Sequence, residues 1–173
     1  RCLVGSEMCI RDSPDKDDLV VSGSDVPVMT SLFNDVKGEV LGLSHESKIY
    51  RLSCADGRIT CELKGSVSSL LEKEEVNSVC IDREGRLWLN TTLGRILRSD
   101  ETMHKFENVS LDNEIDDCTV LGLLSDKNSV WIITNKKVLQ YNIDSQTFQH
   151  YSTADDNIMV DVFRYKAISL DGW

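Results

Sequence analysis

The chain has 173 residues and a formal charge of −10, with 29 acidic against 19 basic side chains. That balance, with no basic stripe, excludes a nucleic-acid footprint, which needs clustered Lys and Arg to meet phosphate. The longest apolar runs, such as VLGLL at 120–124, fall far short of the roughly 20 residues that span a bilayer, and no basic start followed by an apolar core marks a signal peptide.

Taken in order, residues 1–13 (RCLVGSEMCIRDS) show neither helical nor strand periodicity and match no other part of the chain, so they read as a non-native tail. Residues 14–27 run through an acidic turn (DKDD) into LVVSG, which reads as the end of a preceding unit. A first whole unit occupies 28–75, with strands in VMTSLFND, EVLGLS, KIYRLS and RITCELK. Asp56-Gly57 is a two-residue hairpin signal, because glycine accepts positive φ without a steric cost. That turn sets Cys54 opposite Ile59 and Cys61 opposite Leu52, so the two thiols do not face each other. Between 65 and 77 (GSVSSLLEKEEVN), Ser69 and Glu72 have capping-box spacing. The apolar face there is too short for an isolated helix to hold, which leaves a loop with one helical turn at most.

The second unit, 76–116, repeats the order as SVCIDREG, RLWLN, TTLG, RILRS, DETM and HKFENV. The third, 117–160, does so as CTVLGLLSDKN, SVWIIT, NKK, VLQYN, IDSQ and TFQHYS, and 161–173 opens a truncated fourth. The copies align on Gly38, Gly85, Asn128 and Gly172. A period of about 45 residues with four short strands per copy points to blades of a β-propeller. The predicted fold is all-β: about three whole four-stranded antiparallel blades plus partial blades at each end, an arc of a ring whose missing blades would be its partners. The unbroken apolar run Val130, Trp131, Ile132, Ile133 predicts a strand covered on both faces.

Within this frame Asp82 reads as a turn residue, Gly85 as a positive-φ position, and Trp88 and Trp131 as wedges between blades in preference to sugar-stacking platforms. Asn128 stands where the other copies have the turn glycine and is the next best residue for positive φ. Asp56, Asp100 and Asp144 open the turns between third and fourth strands. Of the six cysteines, Cys80 and Cys118 lead into apolar strands and are expected to be buried thiols. His45, His104 and His150 fall on separate units, and the acidic clusters lack the spaced ligands and glycine of a calcium loop, so no catalytic residue, metal site or cofactor is assigned. A ligand site belongs on the rim formed by the turns between second and third strands and the loops between units. His45, Thr92, Asn135 and Lys136 are its candidate residues, beside the loops at 112–117 and 155–157.

EVNSVCIDREGRLWLNTTLGRILRSDETMHKF and SDKNSVWIITNKKVLQYNIDSQTFQHY resemble the two-component-regulator propeller repeat, an apolar strand followed by D-x-x-G-x-[LI]-W-[IL]-G-T, a turn, a Y-D strand and F-x-x-Y. The resemblance covers roughly residues 28–173. It is carried by Asp82, Gly85, Leu87, Trp88 and Thr91, and by Val130, Trp131, Ile132, Thr134, Tyr141, Phe148 and Tyr151. Leu41 replaces tryptophan in the first copy, and Asn90 and Ile133 stand where the family usually has glycine. The resemblance implies the periplasmic sensor region of a hybrid two-component histidine kinase of the Bacteroidetes type. It also implies an oligosaccharide ligand, downstream signalling domains in the same chain and a homodimer of the parent protein. A propeller-fold enzyme such as a lyase and a non-catalytic interaction scaffold are the alternative readings.

Overall fold

The computed structural model describes residues 26–111 and 118–152. The tail at 1–13, nearly all of 14–27, the loops at 112–117 and 155–157 and the truncated unit at 161–173 lie outside the described residues. The described chain is twelve strands and one helical turn: β1 (Met29–Asn34), β2 (Val40–Ser44), β3 (Lys48–Ala55), β4 (Arg58–Ser66), α1 (Ser68–Leu71), β5 (Val76–Ile81), β6 (Leu87–Thr91), β7 (Ile96–Ser99), β8 (Phe106–Asn108), β9 (Val120–Ser125), β10 (Ser129–Thr134), β11 (Lys137–Asn142) and β12 (Thr147–Ser152). They form three four-stranded antiparallel sheets, β1–β4, β5–β8 and β9–β12, each in sequence order. Successive sheets meet along their first strands, β1 against β5 and β5 against β9. Stacking sheets face to face along one inner edge is the geometry of propeller blades.

The turn after each first strand is built around an aspartate. Asp82 Oδ1 accepts the backbone N–H groups of Glu84 and Arg86 at 3.0 Å, and Asp35 Oδ1 accepts those of Lys37 and Glu39 at 2.8 Å. Gly85 and Gly38 each take φ 79°, the left-handed conformation expected of them. The third copy differs. Asp126 Oδ1 accepts the N–H groups of Asn128 and Ser129, and the hairpin closes from Asp126 to Ser129, one residue sooner than the Asp82 to Arg86 closure. The shorter turn needs no left-handed residue, so the positive φ expected at Asn128 is absent. Its side chain instead accepts a 2.7 Å bond from Arg83 Nη1 of the neighbouring sheet. Asp144, expected to close its own turn, also pairs with Arg83. The turn is closed by Asn142 Oδ1, which accepts the N–H groups of Asp144 and Ser145 at 3.0 Å, while Gln146 takes φ 54°. At Asp56-Gly57 both residues are left-handed (φ 51° and 71°), and the resulting register sets Cys54 opposite Ile59 and Cys61 opposite Leu52.

Strand alternation sends side chains to two interfaces. From β6, Leu87 and Leu89 enter a core with Leu41, Leu43 and Ile49 of the first sheet, while Trp88 enters a second core with Val130, Ile132, Leu139 and Tyr141 of the third. All five residues of β6 are therefore buried, as a strand between two blades requires. Within the apolar run of β10 only Val130 and Ile132 are fully covered; Trp131 and Ile133 on the other face are half-buried. The expectation of cover on both faces is thus corrected for Trp131, because among the described residues nothing but Tyr151 of its own sheet stacks on it, at 5.7 Å. Cys80 is buried as expected, whereas Cys118, beside the 112–117 loop, is half-buried.

The 65–77 stretch contains α1, a single turn whose N-cap is Val67 without a side-chain cap. The Ser69–Glu72 pair does not cap it. What holds α1 is burial, since Val67 and Leu71 enter the core between first and second sheets.

Candidate functional site

The rim is organised by the same backbone tie three times. The N–H of His45 donates to Val28 O at 3.0 Å, that of Thr92 to Glu75 O at 2.9 Å, and that of Asn135 to Thr119 O at 3.1 Å. Each bond fastens the turn between second and third strands to the residue ahead of its own first strand. In two sheets the side chain returns the bond: Thr92 Oγ1 accepts from Glu75 N at 3.2 Å and Asn135 Oδ1 from Thr119 N at 2.9 Å. His45 lacks this role, and its ring stands exposed beside exposed Glu46. Lys136 is exposed in the next position of the third turn.

Under each turn lies a buried hydroxyl, at Ser44 and Thr91 inside the rim turns read from the sequence and at Thr134 just ahead of the third. Ser44 Oγ accepts Lys48 N at 3.2 Å and Thr91 Oγ1 accepts Arg95 N at 3.1 Å. Thr134 Oγ1 accepts Lys137 N at 2.9 Å and donates to Lys137 O at 2.7 Å. The signal was a hydroxyl residue at the end of every second strand, where it closes the turn locally.

At the second sheet this rim carries a buttressed ion pair. Arg95 Nη2 donates to Leu70 O at 2.7 Å and pairs with Glu74 at 2.6 Å, fixing the end of α1 beside the Thr91 turn. The hydrogen bond from Arg95, and then that from Thr91, hold the Glu74 carboxyl below its ordinary value against the opposing effect of burial. Arg95 and Glu74 thus both engage Thr91, the residue before Thr92.

The remaining sequence candidates are architectural. Trp88 stacks on Tyr141 at 5.1 Å, Tyr141 on Phe148 at 5.0 Å, and the Arg98 guanidinium lies 5.3 Å above the Trp88 ring. Asp82 is buried and its Oδ2 accepts both Trp88 Nε1 and Arg86 Nε at 2.8 Å. Asp126 repeats the bond to Trp131 Nε1 at 2.7 Å in a more exposed setting. Burial raises the Asp126 carboxyl, but the indole and the backbone N–H groups of Asn128 and Ser129 outweigh it, leaving a net lowering. Asn90, in a glycine position of the repeat, is buried, and its amide donates to Val120 O at 3.4 Å across the sheets; Ser78 Oγ donates to its Oδ1 and accepts from Leu123 N at 3.0 Å. His45, His104 and His150 belong to three different sheets: a rim turn, the turn after β7 and the outer strand β12. Among the described residues no group of three or more His, Cys, Asp or Glu side chains is placed to hold a metal ion, and no helix is long and apolar enough to cross a membrane.

Three sheets joined along their first strands, with turns fastened on one rim, decide the architecture. The fold is that of β-propeller blades. No family model matches the chain, and no curated protein matches it. Among solved structures, the extracellular domain of a hybrid two-component system, BT4673 of B. thetaiotaomicron, is similar over 70% of this chain and 16% of its own, at 19% identity and a TM-score of 0.49. YCF48 bound to D1 peptide is similar over 79% of this chain and 41% of its own, at 23% identity and a TM-score of 0.48. The WD40 β-propeller domain of Doa1 is similar over 66% and 40%, at 15% identity and a TM-score of 0.45. The chain therefore spans well under half the length of each of these structures.

Proposed function

We propose that this chain is a ligand-sensing segment of a periplasmic two-component signalling receptor, in which residues 28–75, 76–116 and 117–160 are successive blades and an oligosaccharide is the ligand. The observation that carries the reading is the rim. One backbone tie recurs at His45, Thr92 and Asn135, yet the side chains at those positions are an imidazole, a hydroxyl and an amide. The backbone tie is common to all three while the side chain varies, with His45 spending no side-chain bond on the loop, which is the pattern of a scaffold that presents recognition groups. Exposed hydroxyl, amide, lysine and histidine groups suit the hydroxyl-rich surface of a sugar. The motif resemblance adds the receptor context, a downstream kinase and a homodimer of the parent.

The test is titration of the 173-residue chain with a panel of oligosaccharides by calorimetry, alongside a His45→Ala/Lys136→Ala variant. Saturable binding to one glycan class, weakened about tenfold or more in the variant, supports the reading. Binding to none of the panel, or a complete reading frame without kinase or response-regulator domains, overturns it.

A further inference from the structure

The opposite rim, formed by the turns after the first and third strands, holds a notch between the first and second sheets. It is a cleft of about 290 Å³ lined by Asp35, Leu41, Arg51, Lys64, Met103 and His104, among others. Its origin can be read from the next interface along. There, Trp88 lies six residues after Asp82, opposite Cys80 and Arg98, and gives its indole N–H to Asp82 Oδ2. In the first sheet Leu41 lies six residues after Asp35, opposite Phe33 and Arg51. Leu41 is thus the positional equivalent of Trp88.

Three substitutions together open the space. Leucine replaces the indole. Glu39 replaces Arg86, the second donor to the aspartate, and turns to Arg51 at 3.1 Å. Ser99 stands in the neighbouring sheet where Tyr141 covers Trp88, because Ser99 follows Arg98 as Tyr141 follows Gln140, and those two residues pair with the tryptophan positions. The turn after β7 supplies one wall: Met103, left-handed at φ 61°, is nearly buried, and its carbonyl lies against Gly65. The bonds to Asp35 from Lys37 and Glu39 both go to Oδ1, and among the described residues Oδ2 accepts none. Asp35 itself is half-buried, and Arg51 Nε beside the notch is buried and, though 3.1 Å from Glu39 Oε2, makes no aligned hydrogen bond.

We propose that this notch binds a small heteroaromatic ligand of the indole class, its ring on Leu41 and Met103 and its N–H donated to Asp35 Oδ2. The structure itself contains the bound form of that arrangement twice, as Asp82 with Trp88 and Asp126 with Trp131. The volume is sufficient, since a cavity of about 150 Å³ already admits benzene. Specificity follows from the unpartnered acceptor, which an N–H satisfies and an ether oxygen repels.

The experiment is a ¹H–¹⁵N titration of the 173-residue chain with indole and, in parallel, with benzofuran, which has the same shape without the N–H. Indole is expected to shift the amides of Leu41, Arg51 and Met103 saturably, and benzofuran to bind about tenfold more weakly. Leu41→Trp should fill the notch and abolish the shifts, and Asp35→Asn, which places an amide N–H₂ at the free position, should erase the preference for indole. No saturable shift with indole, shifts confined to other residues, equal binding of benzofuran, or undiminished binding by folded Leu41→Trp overturns the proposal.

Discussion

Asp82 Oδ2 and Trp88 Nε1 are joined by a 2.8 Å hydrogen bond in which both residues are buried. The carboxylate also closes its own turn and pairs with Arg86, so one side chain couples the turn, the strand and the interface to the next sheet. Asp82→Ala strands an indole N–H and leaves a largely buried guanidinium with Glu84 as its remaining carboxylate, and is expected to cost about 3 kcal/mol. Asp126→Ala removes an indole acceptor and a turn closure but no ion pair, in a more exposed site, and is expected to cost about 1 kcal/mol. Urea unfolding of the two variants beside the parent checks the contrast; equal losses would contradict it.

Gly65 and Gly57 separate space from conformation. A Cβ on Gly65 would lie 1.9 Å from Met103 O, so Gly65→Ala must displace the turn after β7, at about 3 kcal/mol. Gly57 has open space around it but φ 71°, so Gly57→Ala carries only backbone strain, about 1 kcal/mol. Thermal midpoints rank the two.

Arg83 spans the second and third sheets to Asn128 and Asp144 on the exposed rim. Arg83→Ala is expected to cost only about 0.5 kcal/mol, because the pair is solvated. Its effect should shrink in 1 M salt, where the screening length is about 3 Å. A loss that persists unchanged in salt would show that packing, not charge, joins the sheets there.

Burial pushes the Cys80 thiol up to about 12, with the nearby Asp82 carboxylate acting in the same direction. At pH 8, maleimide should modify exposed Cys54 rapidly and spare Cys80 until the chain unfolds. The folded state holds this proton more tightly than the unfolded state, so the contribution is fully present below the unfolded pKa near 9 and lost as pH rises from there towards 12. Cys80→Val should flatten that alkaline decline, read from unfolding free energy against pH.

The blades were legible because their determinants are local and repeat: alternating apolar residues, an acidic turn with glycine, and the Asp56-Gly57 hairpin. The partners of Asp144 and Asn128 were not, because both answer to Arg83, 61 and 45 residues away in sequence. Asn128 misled for a second reason: alignment on the turn residue hides that the third turn is one residue shorter, which removes the need for positive φ. Val67 and Leu71 were hidden by brevity, since a four-residue helix shows no periodicity. On the candidate rim the turns were legible as loops. That Thr92 and Asn135 spend their acceptors on backbone follows only from how the strands bring Glu75 and Thr119 beside them.

The tie at His45 acts through main-chain atoms, which every residue except proline possesses, whereas Thr92 and Asn135 also lend a side-chain acceptor to the N–H groups of Glu75 and Thr119. Recognition on this rim can therefore be rewritten at position 45 while the loop path stays put. A library randomised there, with proline left out, would sample chemistries on a fixed frame, and variants differing in what they bind should share one unfolding midpoint.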